Sequence, residues 1–156
     1  RIDENLPWAL KGDPVRIRQI LLNLTSNAIK FTDSGHVLIS IEVLGRRDDK
    51  ARLRIAVEDT GVGINPEDVP LVYEPYVQLG QQFQRQLPGA GLGLTICRQL
   101  VGLMDGSMDL ESRPGEGSTF WMELTLPVAP ENAARVRPDT RMVKNRRILV
   151  GGVRGW

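Results

Sequence analysis

The stretch DPVRIRQILLNLTSNAIKF, residues 13–31, has the pattern of an amphipathic helix with two separate faces. Asp13 followed by Pro14 is typical of a helix start, because the carboxylate caps free N–H groups and proline tolerates the first helical position. Six apolar residues recur at helical spacing and predict a buried stripe: Ile17, Ile20, Leu21, Leu24, Ala28 and Phe31. Five polar residues lie within about 40° of a common direction on another face: Arg16, Gln19, Asn23, Asn27 and Lys30.

The polar face of this helix has two interpretations. Asparagine is a mediocre helix former, so Asn23 and Asn27, one turn apart, require an explanation. A solvated face is one explanation. The other is ligand binding, because amide oxygens coordinate Mg²⁺ beside phosphate oxygens and water, and Lys30 would neutralise phosphate charge.

Beyond this helix, apolar and polar residues alternate over 37–43 and again over 53–57, which predicts two strands joined by a polar turn. The other predicted elements follow in chain order: a loop from Asp59 to about Pro88 with at most a short helix, a second helix starting beyond Gly93 and ended by Gly106, and strands over 107–112 and 118–126. Long loops in compact domains are usually functional.

The motif Asp59-x-Gly61-x-Gly63 follows a predicted strand directly. A carboxylate at that position can accept a hydrogen bond from an exocyclic amine such as that of adenine. Aspartate and glycine also form ordinary turns, so this motif alone leaves both interpretations open.

Two further glycine segments add to this pattern. Gly89, Gly91 and Gly93 lead into the second helix, where closely spaced glycines let backbone N–H groups reach phosphate oxygens. Gly115 and Gly117 lie between the last two strands and are also compatible with a simple hairpin turn.

The composition of the 156 residues predicts one globular domain with a basic tail. Residues 1–130 carry a net charge of −4 and residues 131–156 one of +5. The single cysteine, Cys97, excludes an internal disulfide and a cysteine-based zinc site, and we interpret it as a small buried hydrophobe. The sequence has no apolar run of membrane-spanning length, and because it begins with Arg1 we expect it to be a piece of a longer protein.

The amide-bearing helix, the Asp59 motif and the two glycine segments occur in a fixed order that is far more specific than any one of them. In this order the sequence, from about Leu6 to Pro127, resembles the ATP-binding catalytic domain of sensor histidine kinases. That domain belongs to the superfamily that includes gyrase, the heat-shock chaperone ATPase and the mismatch-repair ATPase. The resemblance implies an α/β (α+β) two-layer sandwich of the Bergerat type, with a mixed, mostly antiparallel sheet of about five strands and helices on one face.

The resemblance also implies roles for individual residues. Asn23 would be a Mg²⁺ ligand, Asn27 would lie near the metal and the phosphates, and Asp59 would accept the adenine amine. Catalysis would involve Asn23, Lys30 and an arginine near the terminal phosphate, Arg85, within a mobile ATP lid from about Gln78 to Ala90. The remaining residues implied at the nucleotide are Gly61, Gly63, Tyr73, Gly89, Gly91, Leu92, Gly93 and Thr119.

Two positions bear on the reaction. Hydrolysing relatives carry a glutamate where this chain has Asn23, and an amide cannot act as that base, so the resemblance implies phosphoryl transfer to a protein. His36 lacks the His-Glu-x-x-x-Pro pattern of a phosphoacceptor helix and is expected to be an ordinary strand-edge residue. The acceptor is therefore expected on a separate dimerisation domain of a homodimeric parent.

Tyr73 and Tyr76 stand where the family commonly has phenylalanine.

We expect residues 1–127 to form the catalytic domain and residues 128–156 a basic linker or tail. Arg146-Arg147-Ile148-Leu149-Val150 resembles the entry to a receiver domain, although Gly151-Gly152 replaces the acidic pair expected next. A receiver domain or response regulator is an expected partner, whereas nucleic acid and membrane contact by this chain are not expected. The expected location is cytoplasmic, in an inner-membrane sensor.

Three functions remain open at this point. The first is Mg²⁺- and ATP-dependent transfer of phosphate to histidine. The second is a pseudokinase module that binds a partner without transferring phosphate, and the third is a serine kinase of the anti-sigma type that uses the same pocket.

Overall fold

The computed structural model describes residues 1–77 and 91–130. Helix α1 spans Pro14–Phe31, as the hydrophobic periodicity predicts. The Asp13 carboxylate accepts hydrogen bonds from the backbone N–H groups of Val15 and Arg16 at 3.0 and 3.1 Å. This cap satisfies two donors that have no partner inside the helix, so the helix begins at the predicted residue.

Four strands form an antiparallel sheet in the described residues, in the order β1-β2-β4-β3. Their bounds are Val37–Arg47 for β1, Lys50–Asp59 for β2, Ser107–Arg113 for β3 and Gly117–Pro127 for β4. The prediction of about five strands in a mixed sheet is close, because Ile2 forms a single parallel bridge to Ile41 at the outer edge of β1. Asp3 extends this pairing with a 2.9 Å backbone hydrogen bond to Ile41.

Both helices pack on one face of the sheet and enclose the core, which confirms the two-layer architecture. Alternate residues of β2 and β4 point to that face, since side chains alternate along a strand. The core residues from the sheet are Ala51, Leu53, Ile55, Val57, Met122, Leu124 and Leu126. Helix α1 contributes Ile20, Leu24 and Ala28 to the same core.

Helix α2 spans Gly93–Gly102 and ends before Gly106, the residue at which the sequence predicts its end. The chain turns through Asp105, whose φ is +54°, and the Gly106 N–H donates to the Val101 carbonyl at 3.0 Å. This closing hydrogen bond takes up a carbonyl at the end of the helix, as in common glycine-terminated helices. The described part of the predicted loop, residues 59–77, contains one short 3₁₀ helix, Val69–Leu71.

The described structure continues past the predicted domain end at residue 127. Val128 donates to the Asp49 carbonyl at 2.6 Å, and Ala129 donates to the Ala9 carbonyl at 2.9 Å. Residues 131–156, which hold most of the predicted tail, lie outside the described residues. Neither α1 nor α2, the α-helices of the described ranges, has the length and hydropathy of a membrane-spanning helix.

Candidate functional site

The Asp59 carboxylate is a buried acceptor at the end of β2. The residue is only 7% exposed, and its Oδ1 accepts the Gly61 backbone N–H at 2.9 Å. The backbone of Ser118, its cross-strand partner on β4, also hydrogen-bonds to the carboxylate. Burial raises the pKa of Asp59 despite these two bonds, because removal from water disfavours the ionised form. Among the described residues no cation offsets this burial, so a further hydrogen-bond donor would stabilise the ionised carboxylate.

The loop after Asp59 is held between the end of α1 and the β3–β4 hairpin. On one side, the Val62 N–H donates to the Phe31 carbonyl at 3.3 Å, and a Cβ on Gly61 would overlap that carbonyl. On the other side, Gly63 lies against the Arg113 carbonyl, with a φ of +69° and no space for a side chain. Glycine is required at position 63 both for its backbone angle and for this close approach.

The amide of Asn23 meets the first turns of α2. Its Nδ2 donates to the Cys97 Sγ at 3.0 Å, and a Cβ on Gly93 would lie 2.5 Å from its Oδ1. Cys97 is 1% exposed, as expected for a small buried hydrophobe, and burial raises the pKa of its thiol. The polar edge of α1 is thus not simply a solvated face at Asn23.

Asn27 and Lys30 follow Asn23 along the same edge of α1 and are half-buried. The Lys30 Nζ lies 5.2 Å from the centroid of the Phe31 ring. These two side chains extend the polar edge from the start of α2 towards the loop after Asp59, where Phe31 also lies.

The protein groups at this site fit a Mg²⁺ ion that takes most of its ligands from phosphate oxygens and water. No group of three or more His, Cys, Asp or Glu side chains in residues 1–77 and 91–130 is arranged to hold a metal. The hydrogen bond from Nδ2 to Cys97 directs the Asn23 amide so that Oδ1 faces the start of α2. A single amide oxygen suits a cation that keeps several waters and takes its other ligands from phosphates.

Tyr73 packs against the first turns of α2. Its carbonyl accepts the Thr95 Oγ1–H at 2.9 Å, and the Arg98 guanidinium lies 4.9 Å from the centroid of its ring. The Tyr73 hydroxyl is buried without a hydrogen-bond partner among the described residues, and burial raises its pKa to about 12. Tyr73 is therefore a packing residue whose ring does what phenylalanine would do.

Leu92, Gly93 and Gly91 form the connection into α2. Leu92 precedes the first helical residue, Gly93, and its carbonyl accepts the Ile96 N–H at 2.9 Å. Gly91 has a φ of +66° and its carbonyl accepts the Tyr76 N–H at 3.2 Å. Arg85, Gly89 and the predicted ATP lid over 78–90 lie outside the described residues.

The structure does not bring Thr119 together with Asp59. Thr119 pairs with Glu58, so its side chain points to the sheet face opposite that of Asp59. Ser118, which is 7% exposed, occupies the position beside the carboxylate. Ser118 is not among the residues predicted from the sequence, although the period of two along β4, counted back from the core residue Met122, places it on the same face as Asp59.

Comparisons with known proteins agree with this geometry. The family model "Histidine kinase-, DNA gyrase B-, and HSP90-like ATPase" matches residues 12–129. The sensor protein GacS of Pseudomonas syringae pv. syringae is 45% identical over 126 residues, which are 81% of this chain and 14% of GacS. The sensor histidine kinase RcsC of Escherichia coli strain K12 is 44% identical over 125 residues, which are 80% of this chain and 13% of RcsC.

A solved structure extends the similarity to three dimensions. Full-length ShkA in complex with AMPPNP superposes with a TM-score of 0.69 at 36% identity, over 82% of this chain and 25% of ShkA. The chain spans only about a seventh of the length of GacS and RcsC. It belongs to the family of histidine kinase-, DNA gyrase B- and HSP90-like ATPases, as an ATP-binding catalytic domain of the sensor histidine kinase type.

Proposed function

We propose that this domain binds Mg²⁺ and ATP and transfers the γ-phosphate to a histidine on a separate phosphoacceptor domain of its parent chain. The observation that carries this proposal is the buried Asp59 carboxylate at one end of a polar edge that leads along α1 to Asn23 and the start of α2. A nucleoside triphosphate requires a hydrogen-bond acceptor for its base and a positively polarised site for its phosphates. Asp59 provides the first, and the N-terminus of α2 beside the Asn23 amide oxygen provides the second.

In this proposal each group has one task. Asp59 accepts a hydrogen bond from the exocyclic amine of adenine. The first N–H groups of α2, which have no partners inside the helix, face the phosphates together with Lys30. Mg²⁺, when bound, would neutralise charge on the phosphate oxygens, and Asn23 is the residue that would hold it, with Asn27 near the metal and the phosphates. These residues position the γ-phosphate and stabilise its charge, which is the main requirement of phosphoryl transfer.

The acceptor histidine is proposed to lie outside this chain. His36 is exposed at the start of β1, and its backbone is tied to Thr60: its N–H donates to Thr60 Oγ1 at 3.0 Å and its carbonyl accepts the Thr60 N–H at 3.2 Å. His36 therefore lies beside the loop that is proposed to hold the base, whereas the phosphates are proposed to lie at the start of α2, so His36 is poorly placed to receive phosphate. We therefore propose a phosphoacceptor and dimerisation domain in a homodimeric parent, with a receiver domain or response regulator as the next acceptor. The chain would lie on the cytoplasmic side of a membrane sensor.

Replacing Asn23 tests the metal end of this site. We expect Asn23→Ala to raise the Kd for ATP in the presence of Mg²⁺ by about tenfold to hundredfold, because an oriented metal ligand is removed. Without Mg²⁺ the same variant should bind ATP about as well as the original chain. Gln19→Ala is the matched control, since Gln19 is exposed on the same polar face of α1. Calorimetric titrations with and without Mg²⁺ measure both effects.

The same variant in the parent separates the candidate functions. Asn23→Ala should abolish most autophosphorylation, and the phosphoprotein formed by the original parent should be acid-labile, as phosphohistidine is. Binding of ATP without autophosphorylation in the original parent would favour the pseudokinase function, and unaltered autophosphorylation in the variant would contradict the role of Asn23. An acid-stable product would favour a serine kinase.

A further inference from the structure

Ser112 lies near the end of β3 and connects three backbone segments of the site. It pairs with Ser118 across the β3–β4 hairpin, and its Oγ is 2.9 Å from the Ser118 Oγ. The same oxygen accepts the Ile64 backbone N–H at 2.8 Å and lies 3.0 Å from the Gly117 carbonyl. Ile64 belongs to the loop that follows Asp59, so one hydroxyl joins that loop to the hairpin.

These contacts place a row of polar groups across the site end of the sheet. Asp59 pairs with Ser118, and Ser118 pairs with Ser112, so the three side chains project from the same face on neighbouring strands. Ser112 has a single hydroxyl proton, which it donates either to the Gly117 carbonyl or to the Ser118 Oγ. In both arrangements Ser112 fixes the orientation of the Ser118 hydroxyl, which stands next to the carboxylate.

The loop has two other attachments to the hairpin. The Gly115 N–H donates to the Val62 carbonyl at 2.8 Å, and Gly63 lies directly against the Arg113 carbonyl. Both are backbone contacts, whereas the Ser112 contact is made by a side chain and can be removed by substitution. The hairpin therefore sets the position of residues 61–64 relative to Asp59 through these three contacts. Ser112 supplies the side-chain contact among them.

We propose that Ser112 is a positioning residue for nucleobase selectivity, holding the loop after Asp59 and the Ser118 hydroxyl in place around the Asp59 carboxylate. This inference rests on the proposed role of Asp59 as the acceptor of the adenine amine. Without the Ser112 hydroxyl the loop loses a fixed hydrogen bond, and Asp59 loses part of its preorganised surroundings. Discrimination between bases with and without the amine then falls more than phosphate binding does.

The test compares ATP with inosine triphosphate, which lacks the exocyclic amine, by calorimetry on the 156-residue chain with Mg²⁺. The original chain should prefer ATP by at least about tenfold, the worth of one hydrogen bond to a charged group. Ser112→Ala should lower this preference at least fivefold, whereas Ser112→Thr, which keeps the hydroxyl, should retain it. Ser107→Ala is the matched control, because Ser107 is exposed at the start of the same strand.

A preference in Ser112→Ala within twofold of the original would overturn the inference. Lack of any preference in the original chain would instead contradict the proposed role of Asp59, and the inference would fail with it. Hydrogen exchange of the Ile64 amide gives an independent check that does not need the variant to fold. We expect protection of this amide in the original chain, and exchange at the rate of an unstructured amide would also overturn the inference.

Discussion

Asp59→Asn is expected to weaken binding of ATP by about tenfold to hundredfold while the domain stays folded. A hydrogen bond to a charged acceptor contributes about 1.5–3 kcal/mol. The Gly61 N–H donates to Oδ1 of this side chain and requires an oxygen there. We expect it to take the amide oxygen of asparagine, which leaves the NH₂ group in the place of Oδ2, facing the donor of the base.

The domain should remain folded after this change, because the ionised form of Asp59 destabilises the folded protein when no ligand is bound. Burial raises its pKa, so the folded state disfavours the charge, and stability at neutral pH should not fall when the charge is removed. Glu58→Gln is the matched control, since Glu58 precedes Asp59 on β2 but is exposed on the opposite face of the sheet. Calorimetry and thermal unfolding give the two readouts. ATP affinity within threefold of the original would contradict the assignment of Asp59.

Gly117→Ala should lower the free energy of unfolding by about 2–4 kcal/mol. Gly117 has a φ of +110°, which L residues rarely adopt, and a Cβ there would overlap the Asp59 carbonyl on the neighbouring strand. The strained backbone angle costs about 1–3 kcal/mol, and the steric overlap adds to that cost by forcing β2 and β4 apart.

Gly115→Ala is the control for Gly117. Gly115 also has a positive φ, +78°, but a Cβ there meets no atom within 4 Å in the described structure. Only the backbone cost remains, so we expect a loss of about 1 kcal/mol. Chemical denaturation of both variants measures the difference, and equal losses would show that the approach of Gly117 to Asp59 is not a constraint.

The sequence predicts local elements well where a local interaction decides them. Helix α1 begins at Pro14 as expected because Asp13 supplies its cap within three residues, and it ends at Phe31 before a glycine-containing turn. The end of α2 was less well predicted, since a closing hydrogen bond from Gly106 to Val101 terminates the helix before the glycine itself.

Long-range pairing explains what the sequence did not predict. The contact of Ser112 with Ile64 joins residues 48 positions apart, and no periodic pattern signals it. The period of two along β4 gives the face of Ser118 and Thr119, but the pairing of Ser118 with Asp59 depends on the register of β4 against β2, which no local pattern provides. The bridge of Ile2 to Ile41 was missed because the N-terminal segment is too short to show alternation.

The sequence predicts where the glycines lie but not which contacts require them. The sequence shows the spacing of Gly61, Gly63 and Gly117, but the reason for each residue lies in a neighbour distant in sequence. Gly61 approaches the end of α1, Gly63 approaches the hairpin, and Gly117 approaches Asp59. The three glycines therefore bring the separate motifs of the sequence together into one site.

A calorimetric titration of ATP into the 156-residue chain, with Mg²⁺ and again with a chelator, tests whether the domain has the proposed nucleotide site. We predict saturable binding of one ATP per chain with a Kd below about 1 mM in Mg²⁺, and clearly weaker binding in the chelator. Absence of binding at millimolar ATP with Mg²⁺ would contradict the assignment of the Asp59 and Asn23 ends of the site to a nucleotide.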